Sequence, residues 1–246
     1  MTVKLALVTG GSSGLGFAIL RLLVRRGYQV AVFDVNEIQG VELAQQSGIA
    51  FYSCNVGSLE SWRSQVENMI AQQGVPEKVF LNAGIMSRPP SAAIDDNIFD
   101  WFDKGAYEKV MNVNVAGALF GIRLLIDRMV AKGGGDITVT ASTAAVSPLP
   151  FDPFYCMSKH ALVAMVRSFA PLYEEHGIRL NAFCPSGMAT AIVPDVIMAT
   201  ASELMSPEDA ALSLYEVSEK KQTGGLWLRL SPSTPLQEYV PPQVGI

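Results

Sequence analysis

The sequence predicts an α/β protein in which strands and helices alternate to build one doubly wound parallel sheet. Three observations predict this fold class. Short apolar runs of strand length recur along the chain, and stretches with helical spacing of apolar residues separate them. A glycine-rich segment joins the first run to the first helical stretch. The composition is 49% hydrophobic, as expected of a parallel sheet covered by helices on both faces.

The size and charge of the chain narrow the classes of function. A chain of 246 residues fits one large domain or two small ones and needs no disulfide or metal for stability. The alternation of strands and helices along the whole length predicts a single domain, residues 1–246. The net charge of −5, with Lys and Arg scattered, argues against a nucleic-acid partner. The three cysteines lack paired spacing and the chain has two histidines, so we expect no metal site and a reducing compartment.

We expect a soluble, cytoplasmic protein without a membrane partner. The longest apolar stretch, 113–126, is interrupted by Asn114 and Arg123, and it is shorter than the ~20 residues that a membrane span needs. The chain begins with Met-Thr-Val-Lys and a strand-like run, which does not resemble a signal peptide.

The first strand and the loop after it indicate a phosphate-binding site. Residues 5–9 form a continuous apolar run, the glycine loop 10–16 follows directly, and a helical pattern continues to Gly27. Glycines let the backbone turn sharply and approach a pyrophosphate, which the helix N-terminus attracts. We therefore predict dinucleotide binding here, with contacts from Gly10, Ser12, Ser13, Gly14, Leu15 and Gly16.

The second strand, 29–33, ends at Asp34. A carboxylate at this position can accept hydrogen bonds from the adenosine ribose hydroxyls and would repel a 2′-phosphate. No basic residue stands at Ser12, Ser13 or Val35 to offset that repulsion. The sequence therefore favours NAD over NADP; the alternative is that Asp34 caps the next helix, 36–46.

The next two strands, 49–53 and 78–81, also end in residues suited to a cofactor cleft. A helix over 58–73, with Ser58 as N-cap and Gly74 as its end, separates them. An amide after the third strand can meet the adenine, and small residues after the fourth let the chain pass close to a flat ligand. The residues concerned are Asn55, Val56, Asn82, Ala83 and Gly84.

Residues 86–105 are irregular and predict either a lid or a surface excursion. A long helix over 106–130 follows and contains Asn114. A polar amide among apolar residues is expensive to bury without partners. Asn114 therefore either faces the site or caps a local kink.

The segment that follows carries the candidate chemistry. A strand over 137–141 delivers Ser142 at its carboxyl end, and a helix over 152–174 carries Tyr155 and Lys159 in its first turns. Residues four apart share one helix face, and an ammonium beside a phenol should lower the pKa of that phenol. Such a phenol can exchange a proton with an alcohol or ketone oxygen, and Ser142 can hydrogen-bond the same oxygen. The pattern on its own also fits two neighbours on a solvated helix face.

A sixth strand over 178–184, a helix over 206–220, a seventh strand over 225–230 and an extended tail, 231–246, complete the chain. The predicted sheet thus has seven parallel strands. Ligand sites in such folds lie at the carboxyl ends of the strands. The candidates that follow a strand end are the glycine loop 10–16, Asp34, Asn55, Asn82, Ser142 and the segment 185–190.

These motifs resemble the short-chain dehydrogenase/reductase family over residues 3 to about 230. The matching motifs are Thr-Gly-x-x-x-Gly-x-Gly at 9–16, Asn-Ala-Gly at 82–84 and Tyr-x-x-x-Lys at 155–159. The resemblance implies a single Rossmann-type catalytic domain, with Tyr155 as general acid/base, Ser142 polarising the substrate oxygen, and Lys159 binding the nicotinamide ribose. It also implies that Asn114 holds a water in a proton relay. The implied cofactor contacts after the sixth strand are Pro185, Gly187, Met188 and Thr190.

The sequence departs from the family pattern at three places: Ser186 is inserted in the usual Pro-Gly, Asn55 replaces an aspartate, and 223–227 replaces an Asp-Gly-Gly signature. The first puts the backbone contacts of 186–188 in question. Within the family, 154–160 and 179–185 are similar to the NAD-dependent 15-hydroxyprostaglandin dehydrogenase group. That similarity implies oxidation of a hydrophobic secondary alcohol.

The predicted function is NAD(H)-dependent interconversion of a hydrophobic secondary alcohol and its ketone. Phe151, Phe154 and Met188, together with the segment 86–105, are predicted to line the substrate pocket. Two alternatives are a non-catalytic NAD-sensing or scaffold protein on the same fold, and an epimerase or dehydratase, which usually carries a larger C-terminal domain. By the resemblance we also expect a homotetramer or homodimer built on the helices at 106–130 and 152–174.

Overall fold

The computed structural model describes residues 4–93, 95–190, 198 and 203–241. Its eight-stranded sheet has the order β3-β2-β1-β4-β5-β6-β7-β8. The first seven strands pair in parallel, and β8 runs antiparallel to β7. The strands are β1 Lys4–Thr9, β2 Tyr28–Asp34, β3 Ile49–Ser53, β4 Lys78–Leu81, β5 Gly135–Thr140, β6 Ile178–Pro185, β7 Leu226–Arg229 and β8 Gln237–Glu238.

Helices cover both faces of this sheet, as its apolar composition requires. The α-helices are α1 Gly14–Arg25, α2 Glu37–Ala44, α3 Leu59–Gln73, α4 Ile98–Phe102, α5 Ala106–Val110, α6 Gly117–Lys132, α7 Pro153–Tyr173 and α8 Pro207–Ser218. A π-helical segment, Met111–Ala116, joins α5 to α6. One short 3-10 turn follows β5, at Thr143–Ala145, and another follows α7, at Glu174–His176.

Two hydrophobic layers lie on the two faces of the sheet. On one face, α3, α6 and α7 pack on the strands around the fully buried Trp62 and Leu125. On the other face, α1 and α8 pack around Ile19, Leu23 and Leu214. Because both faces are buried, β1 and β2 are apolar along most of their length. The central strand β5 instead alternates buried polar and apolar residues.

The predicted fold class is confirmed, and the strand count is corrected from seven to eight. The missed strand, Gln237–Glu238, has two exposed polar residues, so it carries neither an apolar run nor an alternation that a sequence pattern could reveal. The structure places the short helix α4 in the irregular segment 86–105. It also divides the long helix predicted over 106–130 at the π-helical segment that contains Asn114.

The helical stretch Ala106–Lys132 is, by length and composition, apolar enough to cross a membrane. Its most apolar window has a mean hydropathy of 1.4, and half of that window is buried inside the fold. The stretch packs on β4, β5 and β6, so its apolar composition is also that of a helix in the protein core.

Candidate active site

A cleft of about 790 Å³ opens at the carboxyl ends of the parallel strands. Most of the residues predicted from the sequence line it. They are Gly10, Ser13, Gly14, Leu15, Asp34, Val35, Asn55, Val56, Asn82, Ala83, Gly84, Ser142, Phe151, Tyr155, Lys159, Pro185, Gly187, Met188 and Thr190. Four predicted residues do not line the cleft: Ser12, Gly16, Asn114 and Phe154.

The glycine loop has the backbone geometry that its sequence predicts. Gly10 has a φ of +67°, which a side chain would strain. A Cβ atom on Gly16 would lie 1.9 Å from the Gly10 carbonyl oxygen, so Gly16 is required for close packing rather than for contact with a ligand. Ser13 is the N-cap of α1, and its side chain makes no capping hydrogen bond. The first-turn amides are therefore available to an anion.

The Asp34 carboxylate is held at the end of β2 by two backbone amides. Ser12 N donates to Oδ2 at 3.0 Å and Asn36 N donates to Oδ1 at 3.0 Å. Asn36, not Asp34, caps α2, because its side chain accepts from Gln39 N. The capping alternative for Asp34 is thus wrong, and Ser12 acts by orienting the carboxylate.

Asn82 joins three neighbouring strands at the floor of the cleft. Thr9 Oγ1 accepts hydrogen bonds from Asn82 N at 2.9 Å and from Ala83 N at 3.0 Å. The Asn82 side chain donates to Thr9 O at 3.2 Å and accepts from Thr140 Oγ1 at 3.2 Å. These bonds fix the ends of β1, β4 and β5 against one another.

Tyr155 and Lys159 meet Ser142 at one place in the cleft, as predicted. Lys159 Nζ lies 5.3 Å from the centre of the Tyr155 ring and donates to Thr140 O at 2.9 Å. Lys159 is only 3% exposed. A Cβ atom on Gly84 would lie 3.3 Å from Nζ, so the glycine leaves room for the ammonium.

The predicted lowering of the Tyr155 pKa is not what the structure shows. Burial raises the pKa of Tyr155 to about 12; hydrogen bonding with Ser142 opposes the rise, while Asp152 and Cys184 add to it. Burial also lowers the pKa of Lys159 to about 8. Desolvation therefore sets the direction of both pKa shifts.

Asn114 is 1% exposed and lies behind the cleft wall, at the π-helical segment. Its Oδ1 accepts from Ile85 N at 2.8 Å, and its Nδ2 donates to Ile85 O and to Ser158 Oγ, each at 2.9 Å. The alternative that Asn114 faces the site is not met, because it does not line the cleft. The amide lies at a helix irregularity, and it fastens the loop after β4 to α7.

Two of the three predicted substrate-pocket residues, Phe151 and Met188, line the cleft. Phe154 does not: it is 8% exposed and packs in an aromatic cluster with Phe102 and Tyr107, with ring centres 5.8 and 5.6 Å away. Neighbouring helix residues point about 100° apart, so Phe154 turns away when Tyr155 faces the cleft.

Sequence reasoning missed several lining residues, above all Lys109 on α5 and the apolar residues Pro148 and Leu149, whereas Met86 lies in the segment 86–105 that was predicted to line the pocket. Lys109 lies four positions before Val113, which also lines the cleft, so helical spacing from the Asn114 region was an available signal. Met86, Pro148 and Leu149 lie in irregular segments, where no periodicity indicates a direction.

The cleft suits a dinucleotide by its donors as well as by its shape. The glycine loop offers amides without side-chain obstruction, and Asp34 offers a fixed acceptor at the far end. The hydroxyl of Thr190 is buried at the cleft and has no hydrogen-bond partner among the residues that the structure describes. A buried hydroxyl without a partner is costly, and a ligand in the cleft would satisfy it.

Comparison with known proteins agrees with this geometry. The model of the short chain dehydrogenase family matches residues 4–199. Sex determination protein tasselseed-2 of Zea mays is 33% identical over 193 residues, which are 77% of this chain and 56% of that protein. Secoisolariciresinol dehydrogenase of Forsythia intermedia is 33% identical over 192 residues, which are 77% of this chain and 67% of that protein. The alignments reach little more than half the length of the first relatives, 56% and 62%.

Solved structures show the same fold. The 3-ketoacyl-(acyl-carrier-protein) reductase of Brucella melitensis, complexed with NADH, superposes with a TM-score of 0.79 at 21% identity and covers 94% of this chain and 97% of its own. ElxO with NADP bound also gives a TM-score of 0.79 at 21% identity, over 92% of this chain and 96% of its own. From the family match and the cleft together, this chain belongs to the short-chain dehydrogenase family of oxidoreductases.

Proposed function

We propose that the protein is an NAD(H)-dependent oxidoreductase that interconverts a hydrophobic secondary alcohol and its ketone. The observation that carries this proposal is the placement of Ser142, Tyr155 and Lys159 in the same cleft as the glycine loop and Asp34. A proton-transfer group and a dinucleotide site in one cleft are what hydride transfer to a carbonyl carbon needs.

The residues have separable roles. The nicotinamide, when bound, supplies or accepts the hydride. Tyr155 donates its phenolic proton to the ketone oxygen in reduction, and as phenolate it accepts the hydroxyl proton in oxidation. Ser142 hydrogen-bonds the same oxygen. Lys159, buried beside the ring, supplies positive charge where the phenolate forms.

Asp34 supports NAD as the cofactor. Its two amide bonds hold the carboxylate in place while leaving it at the cleft wall. A fixed negative charge favours ribose hydroxyls over a 2′-phosphate. One structural relative carries NADH and another NADP, so the carboxylate, and not the fold, is the basis of this choice.

The substrate class follows from the rest of the lining. Met86, Pro148, Leu149, Phe151 and Met188 form an apolar wall. Such a wall favours an uncharged, hydrophobic alcohol or ketone. Lys109 is the one cation besides Lys159 among the lining residues that the structure describes, and it is exposed at the cleft.

Replacing Tyr155 tests the catalytic role. Tyr155→Phe should lower the rate of alcohol oxidation by about 10² or more, because it removes the general acid/base, while NADH binding measured by fluorescence titration stays unchanged. Tyr239→Phe, at an exposed tyrosine, is the matched control and should keep full activity. A Tyr155→Phe enzyme that kept more than about a tenth of the wild-type rate would refute the assignment.

Replacing Asp34 tests the cofactor preference. Asp34→Ser should reduce kcat/KM for NAD⁺ and raise it for NADP⁺, because it removes the acceptor and the repelling charge together. Glu37→Gln is the control, since Glu37 is a neighbouring acid outside the cleft lining. If the ratio of the two kcat/KM values were the same in wild type and Asp34→Ser, Asp34 would not set the preference.

Activity assays can distinguish two other functions from the proposed one. A non-catalytic NAD sensor would bind NADH without turning over any alcohol in a panel of aromatic, steroidal and aliphatic substrates. An epimerase or dehydratase would convert substrate without net change in NADH absorbance. One relative is named as a synthase, (+)-cis,trans-nepetalactol synthase NEPS2 of Nepeta racemosa, at 32% identity. The complete Ser142, Tyr155 and Lys159 set favours an enzyme over a non-catalytic sensor.

We propose further that the protein acts in the cytoplasm and assembles as a homodimer or a homotetramer. An apolar groove between α3, α6 and α7 supports the oligomer; it is lined by Leu59, Leu119, Phe120, Ile122, Ile126, Phe169 and Tyr173, with Arg123 and Asp127. Apolar outer faces of this kind are typical of subunit contacts.

A further inference from the structure

Asp152 is a fully buried carboxylate at the N-terminus of the helix that carries Tyr155. Its side chain is 0% exposed. As the N-cap of α7 it accepts a hydrogen bond from Tyr155 N at 3.0 Å. A cap alone does not explain the burial, because helix caps function well in contact with solvent.

The same carboxylate holds the loop that follows β4. Its Oδ2 accepts from Ser87 N at 2.8 Å and, more weakly, from Arg88 N at 3.4 Å. Its Oδ1 accepts from the Ser87 hydroxyl as well as from Tyr155 N. Both oxygens therefore face donors, and those donors come from two separate segments of the chain.

Arg88 extends this attachment into the segment 88–96. The guanidinium group is 6% exposed and donates to Ala93 O and Asp96 O, each at 2.9 Å. Its Cζ lies 4.7 Å from the centre of the Phe151 ring. Phe151 and Met86, which flank Asp152 and Ser87, line the cleft, so the attachment lies directly behind the apolar wall.

We propose that Asp152 is a positioning residue for Tyr155, which fastens the loop after β4 to the first turn of α7 and so fixes the phenol relative to the substrate wall. This inference rests on the proposed function. Small errors in placing a proton donor are costly, since a displacement of about 1 Å can reduce the rate by about 10².

An asparagine separates this role from that of an ordinary helix cap. Asn and Asp are about equally good N-caps, so a residue that only capped α7 would tolerate Asp152→Asn. In this cluster, however, either orientation of an asparagine amide turns its NH₂ group toward backbone N–H donors. The attachment to Ser87 or the cap to Tyr155 must then break.

The carboxylate also bears on the proton chemistry. The titratable groups around Tyr155 are Lys159 and Asp152 on its own helix and Cys184 on β6, while Lys109 on α5 lines the same cleft. The negative charge of Asp152 contributes to the raised pKa of Tyr155. Removing that charge should lower the pKa, so oxidation, which needs the phenolate, should reach its half-maximal rate at lower pH.

The test compares Asp152→Asn with Ser58→Ala, which removes the N-cap of α3 away from the cleft. Asp152→Asn should lower kcat by about tenfold or more and shift the pH profile of oxidation to lower pH. NADH affinity, measured by fluorescence, should remain within about twofold, and Ser58→Ala should change neither kcat nor the profile. An Asp152→Asn enzyme with wild-type kcat and pH profile would overturn the proposal.

Two further measurements keep the test decisive. If Asp152→Asn does not fold, Ser87→Ala replaces it, because it retains the cap and removes one bond of the attachment. Its kcat should fall by about fivefold, and an unchanged kcat would count against the proposal.

If the wild type turns over no alcohol, the proposed function fails on its own. Ultraviolet titration of tyrosine, with Tyr155→Phe as reference, then shows whether Asp152→Asn lowers the Tyr155 pKa, and no change contradicts the inference.

Discussion

Lys159 is a buried ammonium with one hydrogen bond and no acidic partner among the ion pairs of the described residues. Burial lowers its pKa from 10.5 to about 8. Each unit of pKa corresponds to about 1.4 kcal/mol, so keeping this charge at neutral pH costs the folded state on the order of 3 kcal/mol. The site thus gives up stability in order to hold a cation beside the phenol.

Replacing Lys159 should therefore stabilise the protein while it abolishes activity. Lys159→Met is expected to raise the free energy of unfolding at pH 7 by roughly 1–3 kcal/mol, since the lost hydrogen bond offsets part of the gain. Urea unfolding measures this value. Lys221→Met, at an exposed lysine, is the control and should change it little.

The pH dependence gives an independent check of the same residue. Between about pH 8 and 10.5 the unfolded chain keeps a proton on Lys159 that the folded chain has released, so wild-type stability should gain from this residue as the pH rises. Above the ordinary tyrosine pKa of 10 the raised pKa of Tyr155 acts in the opposite direction. A difference between wild type and Lys159→Met that stayed constant from pH 7 to 10 would contradict the shifted pKa.

For individual residues, the sequence predicted which side chains lie together in the cleft but not how their pKa values shift. Ser142, Tyr155 and Lys159 could be placed because strand ends and helical spacing determine position. The pKa of Tyr155 could not be predicted, because it depends on burial by segments distant in sequence. Asp152 was recognisable as a helix start, whereas its bonds to Ser87 depend on a loop without periodicity.

Among the elements, the π-helical segment Met111–Ala116 shows how an irregularity serves the site. Its widened turn coincides with Asn114, whose amide makes three hydrogen bonds, to Ile85 N, Ile85 O and Ser158 Oγ. The Asn114 side chain therefore replaces backbone pairing for the loop after β4.

Removing the side-chain amide of Asn114 should destabilise the protein by more than the loss of so small a group suggests. Asn114→Ala leaves a half-buried N–H and a half-buried carbonyl of Ile85 without these partners, and an unpaired group costs up to about 1–3 kcal/mol. We expect a loss of about 2–4 kcal/mol in the free energy of unfolding. Asn112→Ala is the matched control, because Asn112 is exposed on the same segment and should cost little. Equal losses in the two variants would show that the three bonds contribute nothing.

The limits of sequence prediction at the element scale have physical causes. Strands β1 to β7 and the long helices were predictable because each strand carries a short, mostly apolar or β-branched run and each long helix has an apolar face. The break at Met111–Ala116 could be predicted only as one of two alternatives, because the residues directly flanking Asn114 are apolar and the segment contains neither proline nor glycine. Strand β8 was missed because its pairing with β7 uses backbone groups and leaves both side chains exposed.

At the scale of the whole molecule, a buried ion-pair network and the candidate cleft lie at opposite ends of the sheet. The cleft occupies the carboxyl ends of the strands, while Lys78 and Asp136, 3.1 Å apart at the amino ends of β4 and β5, form a buried ion pair that Arg179 and Glu219 extend. This ion-pair network ties together β4, β5, β6 and the end of α8. It stabilises the sheet without entering the site.

The groove between α3, α6 and α7 carries the last prediction, on the state of association. Leu119 lines this groove and is 36% exposed in the single chain. A second copy seated there would bury apolar surface worth about 25 cal/mol per Å², so we expect the wild type to sediment as a dimer or tetramer in analytical ultracentrifugation.

Leu119→Glu should shift the protein toward monomer, because it places a charge in the contact without a partner. Leu212→Glu is the control: Leu212 is 53% exposed on α8, outside the groove, and its replacement should leave the sedimentation coefficient unchanged. If the wild type sedimented as a monomer, or if Leu119→Glu kept the wild-type assembly, this groove would not be the subunit contact. The charged lining residues Arg123 and Asp127 would then indicate that the groove binds a partner with polar as well as apolar groups.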